Sequence, residues 1–380
     1  VQSIAELRAM AQRRLPAFAW EYIESGVEDE RSLAHNRSAF EAYRFAPATL
    51  VDTMARSTAV RLFGSELPTP LVVAPTGFNG LAYADGDLAL ARAAGAQGVP
   101  FTLSSFANAT LEAVAAVASG PLWMQLYILE NPALTDNLIQ RAAAAGYGAL
   151  VVTSDAQIAS GREWQRRCYR SPGRLTWRHR LDVLGHPRWL ADLLRHGMPR
   201  FANLAEFFPP EQLNAMRGAP AITGQLKPRV TWRDLEQIRR HWSRPLLLKG
   251  VLTPDDARRA QACGVDGLVV SNHGGRQLDD AIAPLDAIEA IRQAVPELTL
   301  LVDSGFRRGN DVLKALALGA DAVMVGRATL YGLAAAGERG AAHALQLLRT
   351  EIERSLGLLG CNTATARELG PRLVRAGTMR

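Results

Sequence analysis

Three stretches of the chain share one form: AAGYGALVVTSD (Ala144–Asp155), ACGVDGLVVSNHGG (Ala262–Gly275) and ALGADAVMVGRA (Ala317–Ala328). In each, a helical stretch stops at a Gly, and an apolar run follows that ends in polar residues. A Gly at this point suits the left-handed cap that closes a helix and turns the chain into the next strand. The repeat therefore reads as helix, tight turn and buried parallel strand.

Working outward, the same alternation runs from residue 70 and yields eight strands, at approximately Pro70–Thr76, Pro100–Ser105, Leu122–Ile128, Ala149–Asp155, Pro245–Val251, Gly267–Asn272, Leu298–Ser304 and Ala322–Arg327. Eight parallel strands, each followed by a helix, close more naturally into a (β/α)8 TIM barrel than into an open sheet. A doubly wound sheet is the alternative. It lacks its GxGxxG after the first strand, where APTGFNGLA (Ala74–Ala82) has a different glycine spacing. The expected α/β fold is one domain: an N-terminal helical extension, 1–69, with one or two helices; a barrel core, 70–156 and 244–337; a long insertion, 157–243, between strands four and five; and a C-terminal helical segment, 338–380.

Hydrophobic residues at 48% and charged residues at 21% suit a globular chain of 380 residues with a large core. The net charge of +6 comes from scattered Arg, so no nucleic-acid partner is expected; an anionic substrate, cofactor or lipid surface accounts for it as well. Cys168, Cys263 and Cys361 are too widely separated for a disulfide framework or a metal cluster, so no metal is expected and a reducing compartment fits best. No early stretch reads as a signal peptide, and no run of about 18 apolar residues is present to cross a bilayer. Any membrane contact is then made from one face.

Polar residues gather at the C-terminal strand ends, where barrel active sites form: Gln125 and Tyr127, Thr153 and Asp155, Lys249, Ser271 and His273, Asp303, Arg327. SNHGGRQLD (Ser271–Asp279) is the most informative of these stretches. His273 offers a base, the two glycines let the backbone approach a flat ligand, and Arg276 offers a fixed fork for a carboxylate.

This stretch resembles the signature of the FMN-dependent (S)-2-hydroxy acid dehydrogenase/oxidase family, which includes glycolate oxidase and lactate and mandelate dehydrogenases. The resemblance extends through EYIESG (Glu21–Gly26), PTGFNG (Pro75–Gly80), TLSSFAN (Thr102–Asn108), MQLYI (Met124–Ile128), TSDAQIASGRE (Thr153–Glu163), LLLKGVL (Leu246–Leu252) and the run from Asp303 to Ala334. It implies a flavin enzyme that oxidises an (S)-2-hydroxy acid. His273 is then the base and Asp155 its partner; Arg276 and Arg162 hold the substrate carboxylate, and Tyr22 and Tyr127 complete the catalytic set. The loop before Arg162 departs from the family, because Gly161 precedes it and WQRRCY (Trp164–Tyr169) replaces a polar continuation.

For FMN, the resemblance implies Lys249 at the N1–O2 edge of the ring, with Ser104, Gln125, Thr153 and Ser271 as hydrogen-bond partners and Pro75, Thr76, Gly77 and Gly274 lining the cofactor. Asp303 takes the ribityl hydroxyls, and Gly305, Arg307, Gly326 and Arg327 take the phosphate, at the usual barrel phosphate site. Phe106 stands where glycolate oxidase-like members carry Trp, and Phe106 with Gly80 is expected to leave room for an aromatic substrate side chain.

HPRW (His186–Trp189), RHGMP (Arg195–Pro199) and GRATLYGLAAAGERG (Gly326–Gly340) most resemble bacterial membrane-associated mandelate dehydrogenases. Residues 174–200 carry Arg174, Arg178, Arg180, Arg188, Arg195 and Arg200, interleaved with Trp177, Trp189 and a cluster of Leu. That pattern suits an interfacial anchor on an anionic membrane, with both Trp facing lipid; an active-site lid or subunit contact is the alternative. The expectation is therefore a cytoplasmic homotetramer, peripheral on the inner face of the plasma membrane, that oxidises (S)-mandelate and passes electrons to a quinone. Oxygen as acceptor, and (S)-lactate or glycolate as substrate, are alternatives the sequence does not separate.

Overall fold

The computed structural model describes residues 1–171, 173–214 and 216–377. Eight parallel strands close into a barrel: β1 (Leu71–Val73), β2 (Phe101–Leu103), β3 (Leu122–Leu126), β4 (Ala149–Thr153), β5 (Leu246–Val251), β6 (Gly267–Val270), β7 (Thr299–Val302) and β8 (Ala322–Val325). These are the eight expected strands, in order. Seven of them end sooner than expected, by two or three residues, and the fifth ends at Val251 as expected. The capping glycines behave as the repeat requires: Gly146, Gly264 and Gly319 take φ of +83°, +78° and +112°.

A two-residue period governs the barrel interior. Val72, Trp123, Val151, Leu247, Val269, Leu301 and Met324 point inward and form one buried cluster, while their neighbours Val73, Val152, Leu248, Val270 and Val302 pack outward against the helices. Two residues past the inward layer come Gln125, Thr153, Lys249, Ser271 and Asp303, all buried at the upper rim. A hairpin, Val60–Leu62 with Ser65–Leu67, closes the opposite end, with Leu62, Leu67 and Phe63 inserted against the inward residues.

The extension is more elaborate than expected, with three α-helices, Ile4–Arg14, Ala17–Glu24 and Arg31–Ser38, before the hairpin. Asp279 caps the third, accepting from the backbone amides of Ser32 (2.8 Å) and Arg31 (3.2 Å), which ties SNHGGRQLD to the extension. The C-terminal segment is not helical to its end: Leu373–Arg375 forms a strand antiparallel to Tyr43–Phe45, so the extension and the C-terminal segment pair with each other.

The insertion is folded onto the barrel. Its helices Trp177–Leu184 and Pro187–His196 are followed by a return segment in which Asn203 accepts from the Leu111 amide (2.8 Å) and donates to the Ala109 carbonyl (3.2 Å). The expectation that both Trp face lipid is corrected here. Trp177 is 67% exposed, but Trp189 is 5% exposed, donates from Nε1 to the Leu81 carbonyl (2.8 Å) and meets Phe18 edge-on at 5.5 Å. One anchor residue is thus a core residue, held by an apolar contact and a satisfied indole N–H. Trp189→Ala should lower the unfolding free energy by about 3–5 kcal/mol, the range for deleting a buried aromatic, whereas Trp177→Ala should change it by under about 0.5 kcal/mol. Equal denaturation midpoints for the two variants would contradict the docking.

Candidate active site

The upper rim of the barrel carries a hydrogen-bonded polar layer. Lys249 is 3% exposed; its Nζ lies 3.2 Å from Asp303 Oδ2 and donates to Ser271 Oγ at 2.8 Å. Burial alone would strip its proton, but the charges of Asp303 and Asp155 outweigh burial and hold its pKa above the ordinary value. Gln125 donates to Thr153 Oγ1 (3.0 Å) and accepts from Ser104 Oγ (3.2 Å), so the amide is locked between neighbouring strands. The residues assigned to a flavin ring thus share one level of the barrel.

His273 stands above this layer with φ of +58°. Its amide donates to Ser271 Oγ (3.0 Å), and Nδ1 lies 2.8 Å from Asp155 Oδ1, which turns Nε2 toward the open side. Burial is the largest influence on His273 and lowers its pKa; Asp155 opposes this, Lys249 and Arg162 add to it, and the net shift is downward. Burial pushes Asp155 up, but His273 and Lys249 outweigh it and hold the carboxyl below its ordinary value. The pair is therefore a neutral imidazole oriented by a carboxylate, poised to take a proton.

Arg276 and Arg162 come together as expected. Arg162 Nε reaches the Arg276 carbonyl (3.4 Å), and its Nη2 donates to Gln277 Oε1 (3.1 Å). Arg276 donates to the Ser25 carbonyl (3.0 Å), and its guanidinium lies 5.3 Å from the Tyr22 ring centroid. Burial, then the like charges of Arg162 and Arg327, lower the pKa of Arg276 markedly, and no carboxylate pairs with it among the described residues. Such a cluster is stabilised by an anion. Tyr22 donates to the Gly77 carbonyl (3.2 Å), and burial raises the pKa of both Tyr22 and Tyr127, so both remain neutral donors.

Beyond β7, Ser304 and Gly305 adopt φ of +78° and +87°, and a Cβ on Gly305 would lie 2.2 Å from the Asn36 carbonyl oxygen. The helix after β8 starts at Arg327 behind Gly326, with no side-chain cap on its N-terminus. Arg307 reaches Tyr331 Oη (3.3 Å), and Tyr331 donates to Glu24 (2.6 Å). Arg327 donates to the carbonyls of Ile23 (2.9 Å), Gly274 (2.8 Å) and Ser25 (3.1 Å), so its guanidinium fastens the extension to the site. An uncapped helix start beside two arginines has the donor set of a phosphate site. With the buried cation and the locked amide layer, these residues fit FMN.

The structure also brings Phe78 and Phe201, which sequence reasoning missed, beside Phe106. Phe78, Phe106 and Phe201 form an aromatic wall between Tyr22 and Tyr127: Tyr22–Phe78 at 5.2 Å, Phe78–Phe201 at 4.7 Å, Phe106–Phe201 at 6.0 Å and Phe106–Tyr127 stacked at 5.0 Å. Gly80 does not face this wall, contrary to expectation. A Cβ there would meet Pro199 at 2.8 Å, whereas one on Gly77 would lie 3.5 Å from Phe106 Cβ and 3.6 Å from Tyr22 Oη. Gly77 is the small residue beside the site. Asn79 within PTGFNG was the legible signal for a further network, in which it joins Thr76 (2.8 Å) to the buried carboxylate of Asp87 (2.7 Å).

A family model described as FMN-dependent dehydrogenase matches residues 11–376. The chain belongs to the FMN-dependent dehydrogenase family. It is 41% identical over 367 residues to (S)-mandelate dehydrogenase of Pseudomonas putida, covering 96% of this chain and 92% of that one. It is 38% identical over 361 residues to L-lactate dehydrogenase of Alcaligenes faecalis, covering 94% and 95%. A crystal structure of monotopic membrane protein (S)-mandelate dehydrogenase superposes with a TM-score of 0.93 at 39% identity, over 99% of this chain and 100% of that one. FMN is thus the cofactor, and the protein is an FMN-dependent 2-hydroxy acid dehydrogenase.

The site electrostatics set a pH dependence. A proton-accepting imidazole with a lowered pKa is active when deprotonated, so kcat/KM for the hydroxy acid should rise through a single limb below pH 6.5, the ordinary value for His273, and stay flat across neutral pH. Asp155 favours the protonated imidazole, so Asp155→Asn should move that limb to lower pH and reduce the plateau on the order of 10²–10⁴-fold. A limb that stays in place or moves upward would show that Asp155 does not act on the His273 proton.

Proposed function

We propose that the protein oxidises (S)-mandelate, or a closely similar aryl 2-hydroxy acid, to the 2-oxo acid and passes the electrons to a membrane quinone. The observation that carries the substrate is the aromatic cluster from Tyr22 to Tyr127, which adjoins Arg276 and sets Phe106, stacked on Tyr127 and backed by buried Phe201, beside the site as an apolar contact for a phenyl group. Lactate offers only a methyl group, and glycolate only hydrogen, to cover it. The likeness to mandelate dehydrogenase points the same way, although L-lactate dehydrogenases are also similar.

On this reading each residue has a definite task. Arg276 and Arg162 bind the carboxylate and orient the α-carbon, a role for which a planar fork is better shaped than an ammonium. Tyr22 and Tyr127, kept neutral by burial, donate to substrate oxygens. His273 takes the proton released in the oxidation at Nε2, and Asp155 stabilises the imidazolium that results. Bound FMN supplies the acceptor for two electrons. Lys249 is placed to hold negative charge on the reduced ring, with Ser104, Gln125, Thr153, Ser271, Pro75, Thr76, Gly77 and Gly274 around it, and Asp303, Gly305, Arg307, Gly326 and Arg327 toward the ribityl phosphate.

In anaerobic mixing of the flavoprotein with substrate, (S)-mandelate should bleach the flavin with a higher specificity constant than (S)-lactate or glycolate. A higher constant for either small acid would overturn the assignment.

The acceptor reading rests on the outer face of the insertion. Trp177, Leu181 and Leu184 recur at one-face spacing on their helix and are 67%, 57% and 65% exposed, with Arg174, Arg178 and Arg180 exposed beside them. Among the described residues no helix is long and apolar enough to cross a membrane, so this face suits lipid contact from one side. Each basic residue adds roughly 1 kcal/mol of attraction to an anionic surface. Deleting residues 174–200 would also remove the core residue Trp189, so the sharper test replaces Trp177, Leu181 and Leu184 together by Ser. The parent protein should pellet with anionic vesicles at low salt, and the triple variant should stay in the supernatant with flavin reduction by substrate retained. A triple variant that pellets like the parent would refute the lipid face.

A further inference from the structure

We propose that the seam between the helix Pro187–His196 and the loop after β1 is the docking site for the quinone ring. This inference rests on the membrane-acceptor reading above and adds the place where the acceptor meets the protein. A cavity of about 370 Å³ lies in this seam, lined on its apolar side by Tyr83, Trp189, Leu193 and Met198 and on its polar side by His196 and Arg200 together with Asn108 and the carboxylates of Asp85, Asp87 and Asp192. Its size falls within the range of small-ligand sites, roughly 300–1,000 Å³, and an apolar lining with a few convergent donors is their usual character.

The helix has two faces with different tasks. Trp189, Leu193 and His196, at i, i+4 and i+7, line the cavity, while Arg188, Leu194 and Arg195 are exposed on the remaining surface. The cavity is therefore one helix away from the surface assigned to lipid. Its opposite wall is equally thin. Gly80 lines the cavity, sits three residues past Gly77 in the flavin-lining loop, and donates its amide to Asn108 Oδ1 at 2.8 Å. Any side chain at position 80 would strike Pro199, so Gly is what lets the loop and the insertion close together around the space. One turn, Asn79–Leu81, separates the cavity from the loop that holds the flavin.

The charges favour a neutral carbonyl compound over the hydroxy acid anion. Asp85 lines the cavity with no ion-pair partner among the described residues and would repel a carboxylate, while Asp192 is paired with Arg14. Arg200 has no hydrogen-bond or ion-pair partner for its guanidinium among the described residues, and His196 bonds only through Nδ1, to the Asp192 carbonyl, leaving Nε2 available. The Arg200 guanidinium can donate to a carbonyl oxygen of a quinone, and His196 Nε2, an acceptor while Nδ1 donates to the Asp192 carbonyl, suits the hydroxyl of the hydroquinone that forms. The redox balance closes on the established activity: the 2-hydroxy acid loses two electrons and two protons as its C–OH becomes C=O, and the quinone takes both, its two C=O groups becoming C–OH.

The test uses the FMN-loaded protein, without vesicles, and a benzoquinone carrying one isoprene unit. Equilibrium dialysis against the oxidised protein measures binding, and reoxidation of the substrate-reduced protein measures transfer, with ferricyanide as a second acceptor that needs no cavity. Leu193→Trp, which fills the space, should weaken quinone binding and slow quinone reoxidation at least tenfold while substrate reduction and ferricyanide reoxidation persist. Met198→Trp serves if that variant fails to fold. Undiminished quinone binding in the filled variants, or displacement of the quinone by the hydroxy acid, would overturn the site while leaving the acceptor reading intact. If the quinone does not reoxidise the unmodified protein, the acceptor reading falls, and this proposal with it.

Discussion

The structure depends on the strict two-residue period of its eight short strands, because closure of the barrel leaves each strand one inward column and makes that column a stack. Val151 lies below Thr153, Leu247 below Lys249, Val269 below Ser271 and Leu301 below Asp303. The lower members are apolar because they are enclosed by one another. The upper members can be polar because nothing from the barrel lies above them, yet they remain buried enough that every polar atom needs a partner. Lys249 shows the consequence most sharply: an ammonium at the rim of a dry core is costly, and Asp303 with Ser271 offsets that cost while fixing where the charge sits. The flavin-facing layer inherits the rigidity of the core beneath it.

Above that layer the problem is repulsion between cations. Arg162, Arg276 and Arg327 crowd around His273, and the fold answers with backbone rather than carboxylates. The helix Ala17–Glu24 ends over the barrel mouth and presents the carbonyls of Ile23 and Ser25 to both Arg276 and Arg327. The negative end of a helix dipole steadies the guanidinium groups without neutralising them, so they keep an appetite for an anion. Asp155 is directed at His273 rather than at the arginines by its bond to Nδ1, and Glu24, held by Tyr331, is the carboxylate whose charge reaches Arg327.

Most of the barrel was legible in the sequence because it is built from local regularities: a capping glycine, an apolar run, a polar end. His273 and Asp155 were legible as candidates because each follows a strand, but their pairing came only from the resemblance to the family. What escaped was whatever depends on a contact across the chain. Phe201 carries no periodic signal that could bring it against Phe78 and Phe106. Gly80 and Gly77 look equivalent in PTGFNG, and only the position of Pro199 shows that they face opposite sides of one loop. Trp189 was misread because a basic helix with an apolar stripe has the same pattern whether the stripe meets lipid or a barrel. Here Trp189 and Leu193 turn inward, while the preceding helix turns its own stripe outward.

That division makes the insertion a structural part of the active site as well as a covering surface. The Arg200 carbonyl accepts from Asn108 Nδ2 (3.0 Å), the Asn108 amide donates to Asp87 (2.6 Å), Asp87 accepts from Asn79 (2.7 Å), and Asn79 accepts from Thr76 (2.8 Å). The chain of bonds runs from the insertion to the loop after β1 without a break. Asp87 at its centre is 1% exposed, and burial raises its pKa against the hydrogen bonds that favour its charge. A buried carboxylate bonded on both oxygens tolerates little displacement of its neighbours, because any lost bond leaves an unpaired charge in a dry site. The position of the insertion is therefore transmitted to Thr76 and Gly77 by a rigid element, so the Phe201 it adds to the aromatic wall and the loop after β1 that it braces are set by the same contacts.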